Sequence, residues 1–94
     1  MKYDYEWDLE KNRENQRKHG IGFESLSGFQ WGTALIFPDT RFDYGEIRLQ
    51  AIGMLDQRLV SFAFTKRGPR FRAINLRIAS RKERRLYNAS RQRP

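Results

Sequence analysis

The chain of 94 residues contains no cysteine, which excludes a disulfide framework and a thiolate metal site alike. Histidine occurs once, at His19. One imidazole among scattered carboxylates is a poor start for a zinc site, so neither a structural metal nor a cofactor is expected. No apolar run approaches the roughly 18 residues of a membrane span, and the opening Met1-Lys2-Tyr3-Asp4-Tyr5-Glu6 lacks the apolar stretch of a signal peptide. A soluble cytoplasmic protein with no membrane partner is therefore expected. There are only three prolines, while 38% of the residues are hydrophobic and 14% aromatic, a composition too apolar for a disordered tail. The length suits one domain, 1–94, with a single small core.

Acidic charge is scarce in one region only. Residues 1–65 hold eight Lys/Arg against ten Asp/Glu, whereas residues 66–94 hold eleven Lys/Arg against the single Glu83. The net charge of +8 thus comes wholly from the last third. Such asymmetry suits a polyanion, because each neutralised phosphate releases condensed counterions. A solvated basic tail, or a surface that pairs with an acidic protein, accounts for the same charge.

No internal repeat, low-complexity segment or linker divides the chain. Tyr3, Tyr5 and Trp7 alternate with acids, the period of a short strand. Asp8 can cap a helix over "LEKNRENQRK", with His19 at its end and Gly20 as a left-handed stop. Beyond Leu9 that helix has hardly any apolar residue, so a greasy stripe cannot position it. Lys11, Asn15 and His19 share one face, which either lines a site or faces solvent on a helix pinned by its flanks. Phe23, Leu26 and Phe29 suggest a second short helix, broken by Gly28 and Gly32. Strands are expected at "ALIF", "EIRLQAIGML", "LVSFAFTK" and "FRAINLRIA", with a hairpin at Asp56-Gln57-Arg58 and a turn at Arg67-Gly68-Pro69-Arg70. Ser80-x-x-Glu83 has the form of a capping box that opens a last helix.

Pooling the alternation gives one apolar set, Ile47, Leu49 and Ala51, Val60, Phe62 and Phe64, Ile74, Leu76 and Ile78. The opposite set is mixed or polar: Glu46, Arg48 and Gln50, Ser61, Ala63 and Thr65, Ala73, Asn75 and Arg77. An antiparallel sheet with one helix-covered face and one open face fits this pattern.

The open face offers chemistry. Cleavage of RNA without a metal needs a base for the 2′-hydroxyl, cations around the charge developing on phosphorus, and a donor for the leaving oxygen. Glu46 can act as base, and Arg48 and Arg77 can clamp a phosphate bidentately. His19 can serve as acid or base, since histidine as a residue type titrates in the useful range. Each also has a plainer role: a helix-end cap for His19, an exposed ion pair for Glu46, an anchor for Tyr87, a wet helix surface for Arg81, Lys82, Arg84 and Arg85.

Taken in order, Trp7-Asp8, Lys11, Asn15, Lys18-His19-Gly20 and Phe23-Glu24 are followed by Glu46-x-Arg48, Ile52-Gly53, Phe64-Thr65, Arg72 and Arg77. Ala79-Ser80, Glu83-Arg84-Arg85 and Tyr87 complete the series. On these residues, from about 7 to about 87, the chain resembles the BrnT family of bacterial toxins. The resemblance implies an α+β, RelE-like fold: a curved antiparallel sheet of about four strands, two N-terminal helices packed on one face, and a short C-terminal helix. It implies a metal-independent endoribonuclease of a type II toxin–antitoxin system that arrests translation. The implied partners are RNA and a BrnA-like ribbon-helix-helix antitoxin, with DNA reached only through the antitoxin complex. His19, Glu46, Arg48 and Arg77 stand as the catalytic candidates. Lys11, Lys18, Arg67, Arg72 and Arg85 stand as RNA contacts, and Asn15 falls on the same motif. Asn75 and Leu76 depart from an expected serine and alanine, and Ile78 from a usual basic residue. A module that binds nucleic acid without cleaving it is the alternative function, and a basic surface made only for an acidic antitoxin is the third.

Overall fold

A computed structural model of the chain describes residues 3–92. The aromatic and acidic alternation forms β1 (Asp4–Glu6). Asp8 then caps α1 (Leu9–His19), its carboxylate accepting the Glu10 N–H at 2.8 Å, and Gly20 stops the helix at φ 71°. In place of a second α-helix come two 3-10 turns, Phe23–Gly28 and Trp31–Thr33, because Gly28 and Gly32 interrupt the segment before a full helix can propagate. The remaining elements are β2 (Leu35–Pro38), β3 (Arg48–Leu55), β4 (Arg58–Arg67), β5 (Arg70–Ile78) and α2 (Arg81–Arg91).

The five strands make one sheet in the order β1-β5-β4-β3-β2, antiparallel except for β1, which runs parallel to β5 with Asp4 opposite Arg70 and Glu6 opposite Arg72. The expectation of about four strands is corrected by this short fifth member. The β3–β4 hairpin turns on Asp56 and Gln57 alone, at φ 49° and 68°, the pair of left-handed residues that a type I′ turn demands.

One face carries the core: Phe23, Leu26 and Phe29 from the 3-10 region pack with Ala51, Leu55, Val60, Phe62, Phe64, Ala73 and Leu76. Trp31 ties the cluster together, with its ring centroid 5.5 Å from that of Phe64 and 5.2 Å from that of Phe71. A side chain at Gly53 would meet the Phe29 ring at 2.7 Å, so glycine here lets the aromatic layer touch β3.

Three apolar assignments fail. Ile47 precedes β3 and is 76% exposed, and Ile78 is 44% exposed at the end of β5. In β5, Ala63 pairs with Asn75 but Phe64 with Ala73. Ile74 is therefore the extra residue of a bulge, which inverts the alternation. Ala73 becomes core, and Ile74 turns to the polar side.

That polar side is not fully open either. Its rows read Arg48, Thr65, Arg72 and Glu6, then Gln50, Ala63 and Asn75, then Ile52, Ser61 and Arg77. Helix α2 lies against β3 on this side, with Glu83 bonded to Gln50 and Ser61.

Candidate nucleic-acid interface

Helix α1 has no apolar stripe to hold it, and two asparagines do the holding. Asn15 is buried, and its amide accepts the Leu76 N–H (3.0 Å) while donating to the carbonyls of Leu76 (2.8 Å) and Ile21 (2.7 Å). The side chain thereby pairs with β5 as a neighbouring strand would, beyond the point where β1 ends. One turn earlier, the Asn12 carbonyl oxygen accepts the Phe23 N–H, and its amide donates to Glu24, both at 2.8 Å. The outer side of α1 then presents Lys11, Glu14, Lys18 and His19 around a hollow of about 130 Å³ that Ile74 and Asn75 complete.

A second hollow, of about 350 Å³, lies on the polar face and is lined by Asp39, Arg41, Arg48, Gln50, Ser61, Ala63, Ile74, Asn75 and Arg77. Ile74 and Asn75 line both, so His19 and Arg77 belong to adjoining depressions on one surface.

The arginines differ in what holds them. Arg77 grips Glu83 bidentately, at 2.7 and 2.9 Å, and the same carboxylate accepts from Gln50 at 2.8 Å and Ser61 at 3.2 Å. Ser80 and Glu83 complete the capping box, at 2.8 and 3.1 Å. Burial on its own would raise the Glu83 carboxyl, but Arg77, the Ser80 backbone N–H and Ser61 outweigh it and bring it down to about 2. Arg41 likewise grips the buried Asp39 through two bonds of 2.9 Å, with the Tyr44 hydroxyl adding a third contact at 3.3 Å. The Arg41 hydrogen bond holds Asp39 at about 2. Arg48 has no carboxylate partner among the described residues: its guanidinium stacks 3.9 Å above the Tyr44 ring, and its Nε is buried without an acceptor. Opposite it on β4, the Thr65 hydroxyl is also buried and unpartnered.

The candidate residues thus divide. Arg48 and Arg77 share the larger hollow, with His19, Lys11 and Lys18 next door. Glu46 is exposed before β3, paired with Arg67 at 3.2 Å, and lines a third depression that adjoins the larger hollow at Asp39, Arg41 and Arg48. Arg72 is tied to Glu6 at 2.9 Å, and Arg85 is exposed on α2. Asn15 proves to be a structural clip. Sequence reasoning missed Glu83 as an occupant of the site, although its being the one acid among eleven cations marked the position. It also missed the Asp39–Arg41 pair, for which no signal exists short of the fold. Among the described residues no group of three or more His, Cys, Asp or Glu converges, and no helix is long and apolar enough to cross a membrane.

Comparison with known proteins bears on this surface. The model of the family described as "Ribonuclease toxin, BrnT, of type II toxin-antitoxin system" matches residues 7–83. The chain is also similar to the crystal structure of the Brucella abortus ribonuclease toxin BrnT, at 27% identity and a TM-score of 0.67, over 84% of this chain and 99% of that one. No curated protein matches.

Proposed function

The chain belongs to the BrnT family of type II toxin–antitoxin ribonucleases, and from that premise we propose that it cleaves RNA without a metal in the hollow lined by Arg48 and Arg77. The observation that carries the reading is the state of Arg48, a guanidinium with no carboxylate partner among the described residues, stacked on Tyr44 at the edge of a polar depression. An RNA phosphate in that depression would accept from the terminal nitrogens of the guanidinium. Arg77 lines the same hollow, its charge balanced by Glu83, and can contribute N–H donors only in competition with that carboxylate.

In this reaction the 2′-oxygen attacks phosphorus and the 5′-oxygen leaves, so one proton departs the 2′-hydroxyl and another reaches the leaving oxygen. His19, in the adjoining depression, handles one of these transfers, and water at the open mouth handles the other. Glu46, also in an adjoining depression, is paired with Arg67 and is therefore not given the role of base in this reading. Glu83 and Asp39, held near 2 and fully bonded, are poor bases at neutral pH.

Purified protein in chelator is expected to degrade RNA. Arg48→Ala is expected to slow cleavage about 100-fold, the order of effect seen when one transition-state donor is lost. Arg77→Ala and His19→Ala should act in the same direction. Cleavage that survives both arginine changes in folded protein removes the reading.

A second reading follows from the two bonded carboxylates: with neither free to act as base, the surface suits a module that binds nucleic acid and leaves it intact. Intact RNA, recovered from a complex whose affinity falls steeply with salt, would establish that alternative. On the first reading the protein acts in the cytoplasm as a single domain, away from any membrane, and arrests translation. A BrnA-like ribbon-helix-helix antitoxin then covers the basic surface, and DNA is contacted only through their complex.

A further inference from the structure

Between β2 and β3 the chain makes a loop whose apolar residues do not join the core. Phe42 is 69% exposed, as is most of Ile47. Together with Pro38, Tyr44 and Arg48 they line a hollow of about 500 Å³, within the roughly 300–1,000 Å³ range of small-ligand sites. Asp39, Arg41 and Arg48 line both this hollow and the phosphate hollow, so the two adjoin. The rings form a step between them. Arg48 lies over Tyr44, and Phe42 meets Tyr44 edge to face, with centroids 5.8 Å apart at 76°. The Tyr44 hydroxyl is anchored on Asp39, so the step leads from the Arg48 guanidinium to an open aromatic face.

We propose that this hollow is a nucleobase subsite flanking the phosphate site, in which Phe42 stacks on an unpaired base of the bound RNA. The inference rests on the RNA reading above and deepens it. Charge does not favour a second phosphate: in this hollow Arg41 is held by Asp39, Glu46 is paired with Arg67, and Asp43 adds a negative charge, which leaves Arg48 alone, already assigned to the first phosphate. The base is neutral, and stacking on an aromatic ring is the usual means of holding one. Substrate is then an RNA with a splayed, single-stranded base next to the reacting phosphate, and base-paired RNA is excluded.

The test measures binding and cleavage separately. A 2′-O-methyl RNA oligomer, which has no attacking hydroxyl, reports affinity alone. Phe42→Ala is expected to weaken its binding about ten-fold, as the loss of one base–aromatic stack does, while Phe42→Trp retains it. An oligomer abasic at the stacked position should bind Phe42→Ala and the parent protein equally. Phe42 touches no core residue, so thermal melting should confirm that both variants fold. Equal affinity of Phe42→Ala and the parent protein for the intact oligomer overturns the subsite. So does a loss confined to binding of a protein partner. Failure of the parent protein to cleave all-ribose RNA, with the Phe42 effect on binding preserved, would sink the nuclease reading and leave the subsite standing.

Discussion

The two α-helices are joined to the sheet by different chemistry. In each the one buried residue is polar, Asn15 in α1 and Glu83 in α2. Asn15 offers a neutral amide to backbone groups of β5 and of the loop after α1. Glu83 offers a charge to three side chains, Arg77, Gln50 and Ser61. The amide substitutes for a strand partner, whereas the carboxylate substitutes for a ligand. Attachment of α1 through Asn15 should thus be indifferent to pH, with only the exposed Asn12–Glu24 contact sensitive to acid, whereas attachment of α2 through Glu83 should be sensitive throughout.

Breaking the first attachment has the largest expected effect. Asn15→Leu leaves the Leu76 N–H and two carbonyls buried without partners, at about 1–3 kcal/mol each before relaxation, so a loss of about 3 kcal/mol is expected in chemical denaturation. Glu83→Ala comes next, at about 2 kcal/mol, since it removes a cap and leaves Arg77 partly buried and unpaired. Glu83→Gln keeps the shape and loses the charge, and should fall between that variant and the parent.

Acid sharpens the same contrast. Glu83 and Asp39 are held near 2, below their ordinary values of 4.5 and 3.8. Their stabilisation is complete above those ordinary values and is lost as pH falls toward 2. Amide exchange should therefore show α2 loosening between about pH 4.5 and 2 while Asn15 still holds α1. Equal loosening of both helices would break the comparison. The smallest effect is expected at the hairpin: Gln57→Gly relieves a left-handed backbone at φ 68°, and should raise stability by about 1 kcal/mol.

Legibility followed the range of the interaction. Asp8, Gly20 and the Ser80-x-x-Glu83 box were plain because capping is local, with donor and acceptor separated by two to four residues. Strand positions were plain wherever alternation ran unbroken, as through Val60, Phe62 and Phe64. It misled at Ile74, because a bulge leaves no mark in hydropathy, and at Ile47, where the loop outlasts the apolar pattern. Arg48 and Arg77 were found together because alternation does place them on one face. Glu46, two residues before Arg48, followed the same arithmetic but lies outside the strand, so the arithmetic no longer applied.

The sequence by itself determined where α1 begins and ends and where α2 begins, which strands are half-buried, and that a surplus of cations without cysteine leaves arginine and histidine as the available chemistry. Only the tertiary structure decided that Asn15 meets Leu76 across 61 residues and that Glu83 occupies Arg77. It alone left Arg48 as a cation without a counter-ion among the described residues. The physical reason is that a hydrogen bond between distant residues depends on the register and twist of strands packed between them, and no window of the chain holds that information.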